Sequence, residues 1–593
     1  MINCINDHQL TATVVRIEWE RIIVSIDVKL SFAPGVDKTE PLQFYAVNGL
    51  FCAKALFEAE QISDDHYRLS MNLTNPGDVR CLPVGTYSIA ICRGENILAT
   101  AVVDPEYTAN LEDRSRTFLF GGRSKVYTVT FMVREGEEDL PFIMYVLCSK
   151  RSGMDFPTDG KKSSGGFNMA AFKKKHSRPF LRKIYRMQRK KKNNGKPVVL
   201  FLSEQSDRLG SNLTSVRNRM KERGLDKQFT IIESARMATS QPQSQKSWMA
   251  LMKKLAAADV IYLDDHAPVL DWLKLEESTK VIQLWHAGAG FKSSGYSRWG
   301  HIGCPGPSSC HRQYTYGIAG SRHIAHFFSE VWGINTENVL PTGMPRIDEY
   351  LDPVYREKKT AELYQQFPMC KGKKVILFAP TYRGKNRADA YYPYELIDFE
   401  KLYQLCGDEY VVLFKMHPWV SAPVPLEERF QDRFVDANTY PNINDLFYIT
   451  DLLITDYSSN IFEYSLMRRP MLFFAFDKIQ YSFSRGFHRD YELSAPGKVC
   501  YNFEELLTAL EEKDFEYEKV EEYVAHHFDH IDSNSSDRVI DWTLLDQIPE
   551  DLRLAIEAKK KQVESLPFLD FTVLDVVGEQ EESDGTEEEE ETT

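Results

Sequence analysis

The chain has 593 residues, 43% hydrophobic, 27% charged and 12% aromatic, which excludes a mainly disordered, collagenous or disulfide-stapled protein. At the usual domain size this length corresponds to roughly three to five folding units. The net charge of −14 is unevenly placed: Gly578–Thr593 holds nine acids and no base, so the rest carries −5.

That acidic tail reads as solvated and disordered. Ten scattered cysteines read as reduced thiols, and no apolar run is long enough to span a bilayer. The opening MINCINDHQL has neither the charged nor the apolar region of a secretory signal. These features predict a chain that stays inside the cell.

Residues 1–150 alternate apolar and polar side chains in short runs, among them Thr11–Trp19, Arg21–Leu30, Tyr87–Cys92, Val126–Val133 and Phe142–Leu147. Turn formers such as Asn75-Pro76-Gly77 separate them. Period two with regular punctuation predicts a small all-β sandwich, and its lack of clustered chemistry suggests an accessory or docking role.

The segment 151–196 reads as a linker. From Lys161 to Lys196 it carries fourteen cations and no acid, interleaved with Phe172, Phe180, Leu181, Ile184, Tyr185 and Met187. A solvated linker helix and a membrane-surface helix are the competing readings, and we favour an anionic membrane surface. No nucleic-acid module accompanies the patch, so nucleic acid is not expected as a partner.

From 197 onward short apolar runs alternate with helical patterns. Val198–Leu202, Phe229–Ile232, Val260–Leu263 and Lys280–Leu284 form one series; Lys374–Phe378, Tyr410–Lys415, Leu452–Ile454 and Met471–Phe476 form another. Such alternation predicts α/β architecture, with two Rossmann-like units at 197–350 and 351–545 and a cleft between them. A C-terminal extension at 546–577 precedes the tail. No Gly-x-Gly-x-x-Gly follows the first strand and no phosphate-binding Gly-Lys-Ser/Thr loop occurs, so NAD and ATPase chemistry are not indicated.

Four segments set polar residues directly after apolar strands. Gln283–Lys292 (QLWHAGAGFK) offers His286 for proton transfer, Lys292 for charge, and glycines that permit close approach to a ligand. Ala379–Arg383 ends on Arg383, whose fork suits a phosphate. In Lys415-Met416-His417 the outer two side chains share one face of an extended chain. Thr455–Glu463 (TDYSSNIFE) opens a helix, with Asn460 and Glu463 spaced as a capping box. Together the four imply a diphosphate ligand.

Weaker candidates are Arg346, placed to touch ligand or pair with Asp348, and Asp264, Asp265 and His266 at a strand end. His301, Cys304, Cys310 and His311 match no standard zinc spacing, so neither a metal nor another cofactor is expected.

In order and spacing, QLWHAGAGFK, TGMPRID (Thr342–Asp348), APTYR, KMHP and TDYSSNIFEY resemble the motifs of the CDP-glycerol glycerophosphotransferase family, the polyol-phosphate polymerases and primases of wall teichoic acid synthesis. Arg485-Gly486 and Pro496-Gly497 fall where the family carries Arg-Gly and Pro-Gly. The likeness covers roughly 197–540. Arg16–Arg21 is similar to the opening of ribitol-phosphate polymerases. Ala287 stands where many members have Gly, and Glu463 where Asp is common.

The resemblance implies a GT-B-like fold, CDP-glycerol or CDP-ribitol as donor, and a lipid-linked teichoic acid chain as acceptor at the inner membrane face. It implies His286 as general base and His417 as its catalytic companion. Lys292, Arg346, Thr381, Arg383, Lys415, Thr455, Asp456, Ser458, Ser459 and Glu463 are then expected to hold substrate. A nucleotide-sugar epimerase and a non-catalytic polymer-binding protein are the alternatives.

Overall fold

Alternating side chains give most N-terminal strands one face for a core. The computed structural model describes residues 10–564 except 35–40, 49–52, 77–80, 95, 109–110, 121–124, 134–139, 151–168, 191–194, 240, 289, 300–303, 307–308, 385–386 and 485. Leu10–Glu20 and Ile23–Phe32 pair as an antiparallel hairpin, with a bulge between Val14 and Arg16. Eleven strands, the last being Phe142–Lys150, join through one hydrogen-bonded network. Val24, Ile26, Phe44, Tyr87, Phe131 and Phe142 meet in their common core.

Two sequence expectations shift here. Arg21, expected to begin a strand, sits in the hairpin turn with φ 54°. Glu58–Ser63 is an added strand that no alternation announces, because all six residues are exposed along the sheet edge.

Within the expected basic linker, Met169–Lys190 is a helix. Leu181 and Tyr185 are buried in the core of the following unit. Arg189 caps the neighbouring helix Gln245–Ala257, donating from Nη1 to the carbonyls of Ala256 (3.2 Å) and Ala258 (2.8 Å). The opposite face leaves Phe180 58% and Met187 45% exposed, beside exposed Lys183, Arg186 and Lys190. The rest of the basic stretch at 161–168 and 191–194, and the acidic tail, lie outside the described residues. Among the described residues no helix is long and apolar enough to cross a membrane.

Two parallel six-stranded sheets follow, which makes the larger part of the chain α/β. The first runs Thr230–Ala235, Val198–Ser203, Val260–Leu263, Lys280–Gln283, Tyr316–Ile318, Val339–Leu340. The second runs Phe434–Asp436, Tyr410–Phe414, Lys374–Phe378, Leu452–Thr455, Met471–Phe474, Lys498–Cys500. Sequences such as VIYL, YVVLF and MLFF are buried throughout, which is why these strands read as unbroken apolar runs.

Strand order reverses between Val198–Ser203 and Val260–Leu263 in one sheet, and between Lys374–Phe378 and Leu452–Thr455 in the other. A crevice opens at the carboxyl ends of such switch strands. The chain passes to the second half around Arg346–Asp352 and returns: Asp537 accepts from Arg219 and Arg223, and the Tyr262 and Thr543 hydroxyls meet at 2.8 Å. Asp348 accepts from the backbone N–H of Ser535 (2.8 Å) and Ser536 (2.7 Å), so outgoing and returning segments touch.

Candidate active site

One wall forms after the strand Lys280–Gln283. Gln283 is fully buried and its Oε1 accepts the Trp285 N–H at 2.9 Å. Trp285 takes a left-handed φ of 50°, which turns the chain sharply before His286. The His286 side chain is 55% exposed, with Nδ1 3.3 Å from the Asp265 carboxylate and 3.4 Å from the Asp264 carbonyl. A proton held at Nδ1 leaves Nε2 as the basic nitrogen. Sequence reading singled out Asp265 without finding this role, because its partner lies one strand away.

The turn is fixed from behind. Asn212 donates from Nδ2 to the carbonyls of Leu284 (3.1 Å) and Trp285 (2.7 Å), while its Oδ1 accepts the Arg346 N–H at 3.0 Å. Arg346 donates from Nη1 to the His286 carbonyl at 2.6 Å and from Nε to Glu463 at 2.7 Å. Arg346 therefore does not pair with Asp348, and Glu463, expected to hold substrate, is held by Arg346. The helix carrying Glu463 is short, Ile461–Ser465, and Asn460 makes no side-chain cap, so the expected capping box is absent. Gly288 also meets the second half: a Cβ there would lie 2.4 Å from the Phe462 ring. The glycine serves packing between halves.

The second wall is a buried network across the switch strands. Asp456 accepts the Thr381 N–H (2.8 Å) and Thr381 hydroxyl (3.2 Å), and Arg383 donates to it from Nη1 at 2.9 Å. Arg383 also donates to Asp477, at 2.5 and 2.9 Å. Two carboxylates thus occupy the fork expected to clamp phosphate, and Arg383 is buried. Thr455 donates to the Ala379 carbonyl at 2.8 Å. These four expected ligand contacts are arranged as internal bracing.

Five expected residues remain: Lys292, His417, Lys415, Ser458 and Ser459. Lys292 forms an isolated antiparallel bridge with Phe487, flanked by His488 N–H to Phe291 carbonyl (2.8 Å) and Ser293 N–H to Gly486 carbonyl (3.2 Å). Burial and then the Lys292 charge push His417 down to about 4, so its ring is neutral near pH 7. His417 Nδ1 accepts the Trp419 N–H at 3.2 Å. Lys415 donates to the Asn438 carbonyl at 2.8 Å, and burial lowers its ammonium below the usual range. Ser458 is buried and its Oγ accepts the Asn460 N–H at 3.3 Å; Ser459 is half-buried.

A buried carboxylate joins all three units. Glu330 accepts from Arg21 Nε (2.9 Å) and Nη2 (2.7 Å) of the N-terminal β unit, and lies 2.9 Å from His488 Nε2 of the second half. Burial alone would raise its pKa, but His488 and Arg21 outweigh that and hold it at about 2. Of the sequence's zinc candidates, His301 lies outside the described residues, and Cys304 Sγ donates to the Leu119 carbonyl at 3.4 Å, against the β unit.

Residues 183–545 match the family model for CDP-Glycerol:Poly(glycerophosphate) glycerophosphotransferase. The teichoic acid ribitol-phosphate polymerase TarL of Staphylococcus aureus is 39% identical over 345 residues, 58% of this chain and 61% of TarL. TarK of the same organism, also named a teichoic acid ribitol-phosphate polymerase, is 35% identical over 432 residues, covering 72% of this chain and 83% of TarK. The teichoic acid poly(ribitol-phosphate) polymerase of Bacillus spizizenii is 37% identical over 331 residues, 56% of this chain and 53% of that protein. The match thus spans less than two thirds of TarL and of the Bacillus protein. With the family model covering more than half of the sequence, this chain belongs to the CDP-glycerol:poly(glycerophosphate) glycerophosphotransferase family.

Proposed function

We propose that the protein transfers ribitol phosphate from CDP-ribitol to a lipid-linked teichoic acid chain, releasing CMP. The observation that carries this reading is that His286, oriented by Asp265, and His417, kept neutral by burial and the Lys292 charge, each follow a strand of one of the two parallel sheets. Family membership supports the CDP-polyol donor, and the names of the three relatives favour ribitol over glycerol.

In this reading His286 Nε2 takes the proton of the acceptor hydroxyl, whose oxygen attacks the β-phosphorus; the bond to CMP breaks and CMP leaves. General-base assistance of this kind is worth about 10²–10⁴-fold. Lys292 and Lys415 supply positive charge to the pyrophosphate, and the Ser458/Ser459 turn supplies hydrogen bonds. His417 starts neutral, and an arriving dianion reverses the balance and favours its imidazolium. Arg383, Thr381, Thr455 and Asp456 hold the strand ends in place. Arg346 and Glu463 hold the His286 turn against the second half.

A GT-B-like pairing of the α/β halves and a sandwich form for the first 150 residues belong to the same proposal; the two strand-order switch points and the extended core of the β unit support them. So does peripheral attachment to the inner membrane face through Lys183, Arg186 and Lys190 with Phe180 and Met187. Each cation near an anionic surface contributes about 1 kcal/mol.

The deciding experiment is CMP release from CDP-ribitol and from CDP-glycerol, with and without a lipid-linked primer. Primer-dependent release from CDP-ribitol is expected. Release from CDP-glycerol alone would overturn the ribitol assignment, and failure of both donors with folded protein and a validated primer would overturn the transfer reaction.

A further inference from the structure

We propose that His266, Asp271 and Cys310 form a zinc site behind the His286 turn. Their donor atoms all lie within 4.8 Å of one another. They come from two separate stretches of chain: His266 and Asp271 follow the strand Val260–Leu263, and Cys310 begins the short 3-10 turn Cys310–Gln313. His266 Nε2 is 2.9 Å from Asp271 Oδ2, and Asp271 Oδ1 accepts the Cys310 N–H at 2.9 Å. Ligands of one tetrahedral zinc stand about 3.3–3.5 Å apart, so the 2.9 Å His266–Asp271 pair must open slightly and the three need only small shifts to share an ion. His311 is not one of the three, since its Nδ1 meets the Tyr314 hydroxyl, so a fourth ligand would come from solvent.

The donor chemistry selects the metal. Nitrogen, oxygen and sulfur together suit zinc, whereas magnesium and calcium take oxygen ligands. One thiolate, one carboxylate and one neutral imidazole cancel the charge of a divalent ion, so binding leaves no net charge beside the buried thiolate. Cys310 is fully buried, while the His266 and Asp271 side chains are 36% and 38% exposed, which gives the ion a route from solvent.

The surrounding hydrogen bonds give the ion a consequence. His311 Nδ1 meets the Tyr314 hydroxyl at 2.9 Å, and that hydroxyl accepts from Gln283 Nε2 at 3.0 Å. The same Nε2 reaches the Asp265 carbonyl at 3.2 Å, while the amide oxygen holds Trp285. An ion tying 266–271 to Cys310 therefore braces the two loops that carry Asp265 and His286. Its role is positioning, with no contact to the reacting atoms. Sequence spacing hides the site because it sets His266 and Asp271, five residues apart, against Cys310 on a separate stretch.

The test needs no activity. The full-length protein is exposed to zinc, passed through a desalting column and analysed for metal by mass spectrometry. About one zinc per chain is expected, falling sharply in Cys310→Ser and His266→Ala. Cobalt replacement of the wild type should give a near-ultraviolet thiolate-to-cobalt charge-transfer band, which decides the matter even if a variant misfolds. Folded wild type that retains no zinc, unchanged zinc content in folded variants, or cobalt binding without the thiolate band would each overturn the proposal.

Discussion

Arg346 grips Glu463 in the opposite half of the molecule and the His286 carbonyl with one guanidinium. Closure of the cleft and the pose of the basic histidine are thereby set by the same side chain. Glu463 is only 2% exposed, so removing its partner strands a buried charge. Arg346→Ala should lose about 3–5 kcal/mol of stability and most turnover. Arg346→Lys keeps the charge but not the fork, and should recover stability more than kcat. Melting curves paired with kcat separate the two effects; equal recovery of both by lysine would contradict this role.

Asp265 should act through orientation. Asp265→Asn removes the acceptor that favours a proton at His286 Nδ1, and kcat should fall about 10²–10⁴-fold with KM for donor little changed. His286→Ala should abolish transfer while donor binding persists. Steady-state kinetics and a donor-binding titration check both; a KM effect alone would point to simple ground-state binding.

The depressed His417 makes a prediction about protons. Its folded value of about 4 lies below the ordinary 6.5, so between these pH values the unfolded chain binds the extra proton. Its contribution to stability is therefore present above about 6.5 and lost as pH falls toward 4. Donor diphosphate should raise it again, so donor binding at pH 6 should take up a proton. Calorimetry in two buffers of different ionisation enthalpy would detect this, and the uptake should vanish in His417→Asn.

Glu330 should govern acid stability. Its carboxyl is held at about 2 against an unfolded value of 4.5. The stabilisation, about 3 kcal/mol, is complete above pH 4.5 and lost as pH falls toward 2. Glu330→Gln should be less stable at neutral pH and show a flatter acid limb. Chemical denaturation from pH 3 to 7 measures both, and parallel curves would refute the assignment.

The helix Met169–Lys190 separates folding from surface charge. Arg189→Glu should destabilise the protein, because Arg189 caps Gln245–Ala257. Lys183→Glu with Arg186→Glu and Lys190→Glu should leave the melting temperature nearly unchanged but reduce sedimentation with anionic vesicles. Unaltered vesicle binding by this triple variant would rule out docking through that face.

The legible part of the sequence was the part written in local pattern. Unbroken apolar runs announced the parallel strands because both faces are buried, and the polar residues just after them marked the strand ends. Partnership was not legible. Arg383 looked like a phosphate clamp because a sequence shows the guanidinium but not Asp456 and Asp477 closing on it. Gly288 looked ready for a ligand, and Phe462 fills the space. Arg189 was one cation among fourteen until the carbonyls of Ala256 and Ala258 distinguished it.

The double crossing of the chain bears on motion. Because Asp348 on the outgoing segment holds Ser535 and Ser536 on the returning one, the two connections between the halves are tied together. Any relative movement of the halves must carry both connections together and must also strain the Lys292–Phe487 bridge and the Glu330–His488 and Arg346–Glu463 pairs.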